Sequence, residues 1–203
     1  PKAESIESIR FAVDAIEKAE KKLGLNHDGL SPVRLLLNIE TPKSLRLAHE
    51  LASAHSRVMG LQVGLGDLFE PNGIDRKQVF AVQQTLFQVA IAAHEANVFA
   101  YDGAFANIAD QESFKSEAQF ARSLGYQGKS CIHPSQIEFV NAIFRPSDEE
   151  IQFSVRVLEA ERAAQINSVG AFVVDGKMID PPFAERARSI VSMAEKLGLL
   201  KRD

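Results

Sequence analysis

The sequence predicts a parallel α/β fold. Strand and helix patterns alternate four times between Val33 and Phe144, the order expected of strands joined by helical crossovers. The first strand candidate, Val33 to Ile39, is nearly all apolar, as a strand buried on both faces would be. Polar residues recur where successive strand candidates end, at Glu40, Asp67, Asp102 and His133, which suggests one shared face.

The elements follow in order. Ile6, Ile9, Val13, Ile16, Ala19 and Leu23 recur at helical spacing, with Ser5 as N-cap and Gly24 as stop. A loop with Asn26, Gly29 and Pro32 precedes the first strand. Thr41-Pro42 supplies an N-cap and a first-turn proline for a helix through Leu45, Ala48 and Leu51. Val58 to Val63 is the second strand. A loop with Gly64, Gly66 and Gly73 leads to a long helix from about Arg76 to Asn97. Val98 to Tyr101 is the third strand, Glu112 to Leu124 a helix ended by Gly125, Lys129 to Ile132 the fourth strand, and Ser135 to Phe144 helical. Beyond Arg145-Pro146 the pattern changes. Ser147 to Glu150 forms a capping box for a helix reaching Ile166. Ala171 to Val174, Asp175-Gly176 and Lys177 to Ile179 spell a hairpin, and a last helix runs from Pro182 to Leu197. The chain thus divides into residues 1–145, an α/β part, and 146–203, a helix–hairpin–helix extension.

Composition narrows the function classes. The 203 residues are enough for one sizeable core, with 45% apolar and 25% charged side chains. A formal net charge of −4 gives no support to nucleic-acid binding. No apolar run reaches membrane-spanning length. The single cysteine, Cys131, excludes a disulfide within the chain and suits a reducing, cytoplasmic setting. Pro1 to Ser5 is no signal peptide, and without an initiator Met it reads as a start partway through a longer protein.

Glu40 and Asp67 form the sharpest pair. Two carboxylates on adjacent strands can share one hard divalent cation, with water and substrate oxygens completing an octahedron. Equally, Glu40 could cap the Thr41-Pro42 helix start and Asp67 a turn. His133 reads first as a structural hydrogen-bonding group, Cys131 as a small buried side chain, and Asp175 as a turn residue. Glu17 to Lys22 reads as a solvated helix face.

Several motifs resemble one family. Leu36-Leu37-Asn38-Ile39-Glu40-Thr41 resembles its strand-five IET motif, and Gly64-Leu65-Gly66-Asp67-Leu68 its G-x-x-D-L motif. Gly125-Tyr126-Gln127-Gly128-Lys129 with Ile132-His133-Pro134-Ser135-Gln136-Ile137 is similar to GfxGKxxIHPxQi, and Phe144 to Ser147 to the f-x-P-s continuation. Pro1 to Ser5 looks like the end of strand four, usually PKves. On these residues the chain is identified as a member of the citrate lyase β-subunit-like family of the HpcH/HpaI aldolase superfamily, which includes malyl-CoA and citramalyl-CoA lyases.

The resemblance implies a TIM (β/α)8 barrel, here only its C-terminal part from the end of strand four to strand eight, plus the extension. It implies Mg²⁺, with Mn²⁺ as substitute, held by Glu40 and Asp67. It implies a carbon–carbon lyase acting on a carboxylated 3-hydroxyacyl-CoA of the citryl, malyl or citramalyl type and yielding an acyl-CoA and a 2-oxo acid. Thioester hydrolysis, which some relatives perform, stays open. The extension would pack on a neighbouring subunit of a homotrimer or a multiple of it. Met178-Ile179-Asp180-Pro181 resembles the family's G-x-M-I-D-x-P motif, which implies that Asp180 serves as an acid–base group in the adjacent subunit's site; helix capping is its other reading. The chain departs from the family in lacking strands one to three, and with them the catalytic arginine. Two other readings remain: a class II pyruvate aldolase acting on free aldehydes, and a non-catalytic subunit.

Overall fold

The computed structural model describes residues 1–25, 32–166 and 171–201. The expected loop residues Asn26 and Gly29 lie outside them. The described chain forms two compact units, residues 1–144 and 145–203. Among the described residues no helix is long and apolar enough to cross a membrane.

The first unit holds four parallel strands in the order β1-β2-β3-β4, formed by Leu35–Ile39, Val58–Val63, Phe99–Asp102 and Gly128–Lys129. Because the order never reverses, right-handed crossovers put the covering helices on one face. Helix α1 (Ile6–Lys22) leads in, with the Ser5 hydroxyl accepting the Ser8 N–H and Gly24 taking φ of 66° just past its end. The expected helix after Thr41 is two short ones, α2 (Pro42–Arg46) and α3 (Ala48–Ala52), broken at Leu47. The glycine-rich loop is more ordered than its composition suggests, since it contains α4 (Leu65–Phe69). Helix α5 starts only at Val79 and runs to Glu95, because an Asp75 turn takes the N–H groups of Lys77 and Gln78 first. Helices α6 (Gln111–Ser123) and α7 (Ile137–Phe144) complete the unit.

The core lies between sheet and helices. Ile39, Leu61 and Val63 pack against Leu51, Leu86 and Val89 among others. The register places Asn38, Gln62, Tyr101 and Gly128 in one row on the opposite face. Among the described residues that face is partly open: Leu36 is 41% and Phe99 50% exposed. In the first unit taken by itself, the first strand is thus buried on its helix face and only partly on the other, short of the expected burial on both sides. Its apolar run reflects two kinds of neighbour, helices on one side and the row of strand side chains on the other. The fourth strand also ends sooner than expected. Ser130 still donates its N–H to the Asp102 carbonyl, but the Ile132 N–H is taken by the Gln136 side chain, which ends the ladder.

The second unit pairs α8 (Asp148–Ile166) and α9 (Pro181–Lys196) with an antiparallel hairpin, β5 (Phe172–Val174) and β6 (Lys177–Ile179). The capping box is present: Ser147 Oγ accepts the Glu150 N–H, and the Glu150 carboxylate accepts the Ser147 N–H. Asp175 and Gly176 both have positive φ, 48° and 76°, as a two-residue hairpin turn with the right twist requires. Val157, Val174, Ile179, Ala184 and Ala187 form its core, and the two alanines let α9 lie close.

Candidate functional site

Glu40 follows β1 directly and is buried. Its own N–H goes to Ser44 Oγ, and the helix start is capped reciprocally by Thr41 and Ser44. The Glu40 carboxylate is thus released from capping. It points instead at Lys2 and at the turn after β2: Oε1 accepts the Lys2 N–H at 2.6 Å, and Asn38 Nδ2 reaches Oε2 at 3.4 Å.

Gly64 seats the turn that leads to the second carboxylate. Its N–H donates to the Ile39 carbonyl at 2.8 Å, which seats the turn against the end of β1. A Cβ at Gly64 would stand 2.5 Å from Glu40 Cβ and 2.9 Å from Glu40 Oε2, so this close approach requires glycine. Three residues on, Asp67 sits in the first turn of α4, makes no cap bond, and is mostly exposed. Its Oδ1 lies 3.8 Å from Lys2 Nζ. One residue therefore supplies the partners of both carboxylates, through its N–H and through its ammonium.

This arrangement fits a divalent cation. The ammonium 3.8 Å from Asp67 is a stand-in positive charge at that carboxylate. Among the described residues no group of three His, Cys, Asp or Glu side chains could enclose a metal. Two oxygen donors with open positions suit magnesium, which keeps waters and takes substrate oxygens.

The other polar strand ends do different work. Asp102 closes β3 but points into the protein, with a side chain 2% exposed. Lys129, 0% exposed, donates to it at 2.6 Å and to Glu117 at 3.3 Å, and Arg76 pairs with Glu117 at 3.0 Å. Burial pushes the Asp102 carboxyl above the usual carboxylate range, against the attraction of Lys129. His133 lies four residues beyond β4 rather than at its end. Its Nδ1 is within reach of the Ser135 N–H and hydroxyl, at 3.2 and 2.8 Å, which caps the 3-10 turn Pro134–Gln136. Cys131 is only half-buried. Asp175 is a turn residue that also pairs with Arg156 at 2.7 Å. The Glu17 to Lys22 stretch is not simply solvated. Glu20 is buried, and Arg57 holds it through two bonds of 2.8 and 3.0 Å.

Asp180 occupies the N-cap position of α9 in extended backbone, yet its side chain caps nothing. Pro181 and Pro182 leave N1 and N2 without an N–H, and the N–H of Phe183 at N3 makes no bond to the Asp180 side chain either. Among the described residues Asp180 Oδ1 is buried with no hydrogen-bond partner. An acceptor left so costs roughly 1–3 kcal/mol.

Sequence reasoning missed Lys2, Lys129 and Glu117. Only the Gly128-Lys129 motif hinted at one of them. It also missed Gln62, whose side-chain amide contacts the Ser130 hydroxyl beside the partly open face.

Comparison with known proteins supplies the frame for this geometry. The family model for HpcH/HpaI aldolase/citrate lyase matches residues 1–134. The citrate lyase subunit beta of Haemophilus influenzae is 30% identical over 202 residues, covering 96% of this chain and 66% of its own. A (3S)-malyl-CoA thioesterase of Cereibacter sphaeroides is 32% identical over 164 residues, covering 80% of this chain and 57% of its own. Among solved structures, the CitE protein of Mycobacterium tuberculosis in complex with magnesium, acetoacetate and coenzyme A superposes with a TM-score of 0.70 at 28% identity. That match covers 96% of this chain and 66% of the other. The chain thus spans 57–66% of the length of these relatives.

Proposed function

The chain belongs to the HpcH/HpaI aldolase/citrate lyase family, and from that premise we propose that it is the metal-binding part of a Mg²⁺-dependent carbon–carbon lyase acting on carboxylated 3-hydroxyacyl-CoA thioesters. The observation that carries this reading is that one residue, Lys2, meets both carboxylates, its backbone N–H bonding Glu40 and its ammonium standing by Asp67. The complex of the M. tuberculosis neighbour with magnesium, acetoacetate and coenzyme A supports it.

Glu40 and Asp67 would hold the cation. When bound, the cation supplies Lewis-acid polarisation and a template for the carboxylate and adjacent oxygen of the 2-oxo acid half. The chain's own residues then divide the remaining work. Gly64 keeps the Glu40 carboxylate pressed toward the turn of α4. Asp180, orphaned and uncapped, is the proposed acid–base group, contributed by a neighbouring copy in a homotrimer or a multiple of it. Breaking the carbon–carbon bond turns the 3-hydroxyl into the oxo group, with loss of its proton. The electron pair passes to the thioester half as an enolate, and a proton delivered to its carbon completes the acyl-CoA. We further propose that the four strands are one half of a (β/α)8 barrel. The partly open face with Leu36, Phe99 and Tyr101 suits the packed interior of such a barrel. A cytoplasmic setting goes with CoA chemistry.

The test is a panel of citryl-, malyl- and citramalyl-CoA assayed for 2-oxo acid release with Mg²⁺, on the full-length wild-type enzyme and on its Glu40→Gln variant. Metal-dependent release, lost in the variant together with Mn²⁺ binding, is expected. Equal release by the variant overturns the assignment. The similarity to a thioesterase favours one second reading, thioester hydrolysis, which the same assay separates by free CoA appearing without carbon–carbon cleavage.

A further inference from the structure

Lys2 has a backbone that needs explaining. Its φ is 49°, in the left-handed region that a lysine rarely enters and that costs about 1 kcal/mol or more. Such outliers persist where the surroundings over-determine them, and they concentrate at functional sites. Here the conformation does two things at once. It aims the N–H at Glu40 Oε1, 2.6 Å away, and it lets the side chain turn so that Nζ stands 3.8 Å from Asp67 Oδ1. Both contacts fall on the two carboxylates proposed as metal ligands.

The charges make the arrangement informative. The ammonium stands 3.8 Å from Asp67 and offsets its charge, while Glu40 beyond the same turn is met by the backbone N–H. That ammonium is mostly exposed and on a flexible stem, so a divalent ion can displace it. A divalent ion seated between the same carboxylates would bring two charges close to that ammonium and drive it out.

We propose that Lys2 is a tethered counter-cation of the Glu40–Asp67 pair. It fills the site electrostatically when no metal is bound and competes with the divalent ion, thereby setting the metal affinity. This rests on the metal reading of the pair. The backbone N–H and the ammonium have separate roles. The N–H orients Glu40 whether or not metal is present, while only the ammonium competes. If the ammonium-free arrangement is populated at about one tenth, the apparent Kd for metal is weakened about tenfold.

The two roles can be taken apart by substitution. Lys2→Gly removes the ammonium, keeps the N–H and suits the positive φ. Lys2→Arg keeps the charge. The measurement is Mn²⁺ alone titrated into the full chain, free ion being read by electron paramagnetic resonance. Binding about tenfold tighter in Lys2→Gly, with Lys2→Arg near wild type, is the expected result. Lys2→Met should tighten binding likewise, which keeps the effect from being one of glycine flexibility. Unchanged or weaker binding in Lys2→Gly and Lys2→Met overturns the competition while leaving the metal site standing. Mn²⁺ that binds wild type and Glu40→Gln alike refutes the metal reading itself, and the competition with it.

Discussion

Replacing Lys129 by Met tests the buried network at the ends of β3 and β4. The side chains are similar in size, so the change is mainly electrostatic. Lys129 is wholly buried, and its ammonium makes a 2.6 Å contact with Asp102, whose side chain is almost as buried. Removing one partner of such a pair leaves the other uncompensated and costs about 3–5 kcal/mol. Glu117 keeps Arg76 at 3.0 Å and has partial access to solvent, so most of the loss falls on Asp102. In a chain of this size each kcal/mol moves the Tm by about 2–4 °C, so a fall on the order of 10 °C is expected. The sign with pH follows from Asp102. Its folded-state carboxyl sits above its unfolded value because of burial, so its stabilising contribution is full below about pH 4 and is lost as pH rises through the folded pKa. Without Lys129 that carboxyl rises further, and the loss extends to higher pH. The cost of Lys129→Met should therefore be largest near neutral pH and shrink toward about pH 4. Adding Asp102→Asn removes the charge but keeps an acceptor for the Gly103 N–H, now taken at 2.7 Å, and should recover much of the stability. Urea denaturation at several pH values reads all of this. A loss under about 1 kcal/mol, or one equal at acid and neutral pH, would refute the reasoning.

The remaining predictions concern the site. Gly64→Ala puts a methyl group 2.5 Å from Glu40 Cβ and should weaken Mn²⁺ binding about tenfold, with a stability cost of about 1–3 kcal/mol; unaltered binding by titration would count against the Glu40 placement. Asp180→Asn should lower turnover about 10²-fold with an unchanged Tm, because no cap bond is lost; near-normal turnover would sink the acid–base role. Light scattering should find a trimer or a multiple of it, and a monomer at micromolar concentration would remove the neighbouring copy from the proposal.

The sequence by itself determined the local structure. Ser5, Thr41, Ser147 and the Asp175-Gly176 pair each announce a helix start or a turn, because caps and turns are interactions among residues within about four positions of one another. Alternation of apolar runs with helical spacing was enough for the parallel sheet. It also marked Glu40 and Asp67, since their places at strand ends and in recognisable motifs are properties of order along the chain. What only the tertiary structure decided is the partner of each charge. Asp102 and Lys129 are 27 residues apart, Glu20 and Arg57 37, and Lys2 and Glu40 38. Nothing in the periodicity says which carboxylate turns inward to a cation and which outward to a site. The strand end at Asp102 and the one at Glu40 look alike in the sequence, yet the first is consumed by Lys129 and the second is left for exchange. Asp180 makes the same point at short range, for its position spells a cap while its Oδ1 is buried and, among the described residues, unpartnered. The physical reason is that hydrogen bonds and ion pairs act over a few ångströms of space, and only packing brings distant residues within that reach.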